Sequence, residues 1–139
     1  MTTSDPDITL DYVAALQWAQ ADVRLTLESD GAVRVALELV RFGWQTQPAP
    51  ADVGEMLAWD AMGTAAQSVA DDLYGDLRPL SLSVSPLVGQ DFVAETRALL
   101  EAVVDRLDRA AADPAQPADQ RWAWAAASGR LGTALNGSR

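Results

Sequence analysis

Carboxylates are the abundant reactive groups of this chain, and little else stands beside them. Twenty of 139 residues are aspartate or glutamate, all ten basic residues are arginine, and cysteine, histidine and lysine are absent. That composition removes thiolate nucleophiles, disulfides, Cys/His zinc sites, haem ligation, imidazole acid-base chemistry and every lysine-dependent mechanism. What remains is acid-base work by carboxyl pairs whose pKa values are pushed apart by burial. Asp60, set between Trp59 and Met62, and Asp11, beside Tyr12, are the positions with apolar neighbours. Yet Asp60 continues through Thr64, Gln67 and Asp71 at steps of four, three and four, which is the spacing of a solvated helix face. Serine has no base to activate it and no Gly-x-Ser-x-Gly elbow, and Ser128-Gly129 with Gly132 lacks the order of a phosphate loop. The sequence therefore assigns no catalytic residue, no cofactor and no metal, and leans away from an enzyme.

The densest acidic run is Asp71-Asp72-Leu73-Tyr74-Gly75-Asp76. It resembles the aspartate-rich motif with which terpene cyclases and prenyltransferases hold magnesium and diphosphate, since hard cations take several carboxylate oxygens at once. The resemblance covers six residues. Those families also use a long helical barrel and a second metal-binding motif, which these 139 residues do not contain. On a helix, moreover, Asp71 and Asp72 point about 100° apart.

Charge distribution points to surface contact instead. The net charge is -10 and the isoelectric point about 4.2, which opposes the counterion-release attraction of nucleic-acid binding. Residues 51–77 hold six acids and no base, whereas 113–139 are nearly neutral. A surface of one sign steers a basic protein partner, and Asp60, Asp71, Asp72 and Asp76 are the residues expected to do so. Tryptophan supplies the other feature: Trp122 and Trp124 lie two apart, about 200° around a helix, so they cannot share one core. Trp124 aligns with Ser128, Leu131 and Leu135 as the inward member, while Trp122 aligns with the small residues Ala126, Gly129 and Thr133 and is expected at an interface. This second face, with the surplus of apolar positions on 32–42, predicts a homodimer. The reading is a non-enzymatic protein-protein interaction module, accessory, regulatory or immunity-type. The alternative is a small-molecule binder or minimal enzyme with an apolar Trp/Tyr-lined pocket and Asp or Arg as polar groups.

Positioning these residues calls for helices. Asp5-Pro6 is a helix start, and Leu16, Ala19, Val23 and Leu27 form an apolar stripe beside Gln17, Gln20, Arg24 and Glu28. Residues 32–42 alternate as a strand would, but Arg34, Glu38 and Arg41 fall at i, i+4 and i+7, which favours helix. One unbroken helix from Pro6 to Gly43 would be about 57 Å long against a globule diameter of about 37 Å, so it must break near Asp30-Gly31 or project. Asp52 with Glu55 three residues on resembles a capping box; a stripe of Trp59, Met62, Ala66, Val69 and Leu73 follows, closed by Gly75 as a left-handed cap. Residues 78–85, with leucines and a valine alternating with serines, read as extended. Asp91 to Ala112 is helical, with Phe92, Leu99, Leu100, Val103, Val104 and Leu107 inward, and Pro117 opens a last helix that ends near Asn136-Gly137.

The expected fold is a single all-α domain over 1–139, a bundle of four to five helices with one short extended connection. The alternative is α+β, with a hairpin at 23–40 and a third strand at 79–85. No run of about 20 apolar residues suggests a membrane span, and residues 1–7 have neither the basic nor the apolar region of a secretion signal. With 26 alanines and arginine as the sole base, the expectation is a cytoplasmic protein from a GC-rich bacterium with no nucleic-acid or membrane partner.

Overall fold

The computed structural model describes residues 10–25, 30–46, 52–75, 84–85 and 93–137. Five helices carry almost all of them: α1 (Tyr12–Leu25), α2 (Asp30–Thr46), α3 (Val53–Tyr74), α4 (Val93–Ala112) and α5 (Ala118–Gly137). Two short strands, β1 (Leu10–Asp11) and β2 (Val84–Ser85), pair in parallel, Leu10 opposite Val84 and Asp11 opposite Ser85. The fold is an all-α bundle, and the hairpin reading of 23–40 is overturned. Alternation over 33–39 loses to the charge spacing: Arg34, Glu38 and Arg41 lie half-buried along one side, which frees Ala32, Val33, Ala36, Leu37, Leu39 and Val40 for the core. Of the third strand expected at 79–85, Val84–Ser85 form β2, which pairs with β1 and not with a hairpin, and residues 79–83 lie outside the described residues.

The long-helix problem is solved by a break, with α1 ending at Leu25 and α2 starting at Asp30. Leu10 and Asp11 are extended, so α1 opens at Tyr12 and does not run unbroken from the start expected at Asp5-Pro6; residues 5 and 6 themselves, like Leu27 and Phe92, lie outside the described residues. Asp52 caps α3 as expected, its Oδ2 accepting the Glu55 amide at 3.0 Å. Gly75 closes α3, but with φ -60° and ψ -25° it stays right-handed and donates its N–H to the Asp71 carbonyl, so no left-handed cap forms. Pro117 sits one residue before α5, and its carbonyl accepts the Arg121 amide.

Packing follows the cycle α1, α2, α3, α5, α4 and back to α1, with α2 and α3 also meeting α4 across the middle. Helix directions follow from the contacts. Only four residues join α1 to α2, which forces an antiparallel return. The α2-α3 pair is antiparallel because Trp44 meets Asp60 while Arg41, nearer the start of α2, meets Asp71 near the end of α3. Helices α1 and α4 meet near their starts, where Gln17 donates to Glu95, and the strand pair that precedes α1 is parallel, which fits α1 and α4 running in one direction. Consequently α3 and α4 run the same way, which no tight turn can achieve; seventeen residues, 76–92, separate Gly75 from Val93 and include β2. Arg121 then caps α4 by donating Nε–H to the Ala111 carbonyl at 2.8 Å across the α4-α5 turn. Leu16, Leu37, Met62, Leu99, Leu100, Leu107 and Leu131 form the centre of one shared core.

Candidate functional site

The predicted interaction residues fall on two separate surfaces. On α3, Trp59, Met62, Ala66 and Val69 face inward, which turns Val53, Leu57, Asp60, Thr64, Ser68 and Asp71 to the opposite side. Asp60, Asp71 and Asp72 are thus brought onto one exposed helix, while Asp76 lies outside the described residues. Trp44 of α2 covers Gly63, so closely that a Cβ there would lie 2.1 Å from its Cγ. The ring is fixed at its edge, because Nε1–H donates to Asp60 Oδ1 at 3.1 Å. Below it opens a shallow groove of about 340 Å³, lined by Trp44, Thr64, Gln67, Ser68, Asp71 and Asp72.

The adjacent aspartates reach different neighbours, as their 100° separation requires. Asp71 faces Arg41 of α2 at 3.8 Å, and Asp72 is ion-paired with Arg130 of α5, whose Nη1 also donates to Ser68 Oγ at 2.9 Å. Both carboxylates are more than half exposed, where such pairs contribute about 0–1 kcal/mol each. Their consequence is electrostatic: two of the acids expected to attract a basic partner already face the chain's own guanidinium groups. Among the described residues, no three acidic side chains converge as a metal cage would require.

The second surface is the outer side of α5. Trp124, Ala127, Ser128, Leu131 and Leu135 are buried, and Ser128 donates to Asp108 of α4. Trp122 is 80% exposed, and Ala126, Gly129 and Thr133 are exposed in line with it, as the helical spacing requires. The charges of α5 are Asp119, Arg121 and Arg130, and both arginines turn back to the bundle, so the outer face is uncharged along most of its length. An added Cβ at Gly129 or Gly132 would meet nothing within 4 Å. Among the described residues, packing requires neither glycine.

Four apolar exposures, Trp18, Val53, Met56 and Leu57, were missed by sequence reasoning, though for Trp18, Val53 and Leu57 the signal was there. Trp18 is 55% exposed and lies about 200° from Leu16. Val53 and Leu57 point away from the stripe that carries Met62, and extending that stripe backwards would have placed both in solvent. Trp44 in the groove had no local signal, because its partners Asp60 and Gly63 belong to the next helix. The tryptophans do not converge on one pocket: Trp59 and Trp124 are core residues, while Trp18 and Trp122 face outward. The side chains of Asp11 and Tyr12 lie outside the described part of the structure. No protein-family model matches this chain, and no curated protein or solved structure is similar to it.

Proposed function

We propose that the protein is a non-enzymatic interaction module that pairs with a second copy through the outer face of α5. The observation that carries this reading is Trp122, 80% exposed beside Ala126, Gly129 and Thr133 on a helix face that carries no charge beyond Asp119 at its start. Two helix-interior glycines support it. Each costs about 1 kcal/mol relative to alanine, and neither is needed inside the monomer; close approach by another helix is what they permit. Charge favours the same face, since two chains of net charge -10 repel least where acid is sparse, and Asp119 is the one acid of α5. The other ground for a dimer, the apolar surplus on 32–42, is met within the chain, because α2 buries those residues against its neighbours.

Sedimentation equilibrium tests the proposal. The expected result is a dimer that Trp122→Ala weakens by about 2 kcal/mol or more, with unchanged helix content. A chain that sediments as 14.8 kDa throughout the micromolar range overturns it. The groove beneath Trp44 favours one second reading, a small polar ligand. A thermal shift induced by such a ligand and lost in Trp44→Ala would support that function instead.

A further inference from the structure

We infer that the exposed start of α3 docks a basic amphipathic segment of a partner protein. The inference rests on reading the chain as an interaction protein, but it uses a surface separate from the outer face of α5. Asp52 to Leu57 are six consecutive exposed residues, and the first buried position of the helix is Ala58. The first turn and a half of α3 is therefore solvent-exposed.

Its apolar content is concentrated. Val53 is 63% exposed, Leu57 64% and Met56 39%, at the i, i+3, i+4 spacing that places them together on the helix. Scattered single exposures need no explanation, but three large apolar side chains within two turns form a patch, and methionine adapts to varied partners.

The charge around the patch selects the occupant. Asp52, Glu55 and Asp60 lie within the same stretch, and the sequence has no basic residue between Arg41 and Arg78. Asp71 and Asp72, at the far end of α3, face Arg41 and Arg130; no described arginine pairs with Asp52 or Glu55. The dipole of a helix places about half a positive charge at its start, which these two carboxylates outweigh. A second copy would bring like charge against like charge. A segment with apolar residues at helical spacing, flanked by arginine or lysine, complements both the patch and its rim.

The test is fluorescence anisotropy with a labelled helical peptide of about 16 residues, leucines on one face and lysines flanking them, against a control with glutamate in place of lysine. The basic peptide is expected to saturate one site and the acidic control not to bind. Val53→Ser with Leu57→Ser should weaken binding about tenfold or more. Asp52→Asn with Glu55→Gln should weaken it about threefold and flatten its salt dependence, because asparagine keeps the helix cap while the charge is lost. Asp71→Asn with Asp72→Asn should leave the affinity unchanged. Equal binding of the two peptides, indifference to the Val53 and Leu57 changes, or a loss confined to the Asp71 and Asp72 changes overturns the inference. So does a Val53/Leu57 variant that dissociates a dimer, since the occupant would then be a second copy. A protein that dimerises through Trp122 but ignores the peptide overturns this inference and leaves the α5 reading standing. One that binds the peptide as specified yet sediments as a monomer sustains it and overturns the other.

Discussion

Gly63 and Trp44 show how one residue's missing side chain shapes a surface. The indole lies where a Cβ at Gly63 would be, and Asp60 holds its N–H. Gly63→Ala therefore forces the ring away from α3, and overpacking of this kind costs about 1–3 kcal/mol. Helix propensity pulls the other way by about 1 kcal/mol, because alanine replaces glycine inside a helix. The steric cost is the larger, since the clash is with the root of the indole and not with a flexible tip. Urea denaturation should show the variant less stable than the parent; an unchanged or raised midpoint would mean that the ring finds another seat without loss.

Among the elements, α3 depends most visibly on its cap, because its first turn and a half has no core beneath it. Asp52 accepts the Glu55 amide there and satisfies one of the N–H groups that a helix start leaves unpaired. Asp52→Ala should destabilise the protein by about 1 kcal/mol, while Asp52→Asn should be close to neutral. Chemical denaturation of the two variants side by side checks this, and equal losses would show that charge, not capping, sets the effect. The same comparison bears on docking, because frayed first turns would present Val53, Met56 and Leu57 in no fixed arrangement. On α5 the contrast is with amphipathic α2: small and apolar residues occur all around the helix, although only one side meets the bundle.

For the molecule as a whole, the two proposed contacts respond to salt in opposite directions. Self-association joins bodies of net charge -10, so screening should strengthen it. Capture of a basic peptide joins opposite charges and should weaken. Raising ionic strength from about 50 to about 500 mM shortens the screening length several-fold, enough to separate the two trends in one protein sample. Dimerisation that weakened as salt rose would place the dimer contact on charged groups and not on the outer face of α5.

The helical class, the inward stripes, the Asp52 cap and the opposed directions of Trp122 and Trp124 could all be read from the sequence. Each depends on periodicity or on neighbours within four residues, and at that range chain geometry is set by the residues themselves. The same arithmetic, carried back along α3, reaches the outward Val53 and Leu57. Where α1 begins was misjudged because Leu10 is drawn into a parallel pair with Val84, far along the chain. The burial of α2 within its own monomer, the seating of Trp44 on Gly63, and the separation of Asp71 and Asp72 between Arg41 and Arg130 were likewise decided only by tertiary structure. These are meetings between helices, and a one-dimensional pattern gives the direction of a side chain without the identity of what stands opposite. For the acidic surface that difference determines the reading: by composition 51–77 is uniformly negative, but in the fold Asp71 and Asp72 face arginines, while no described arginine pairs with Asp52 or Glu55 in the first turn.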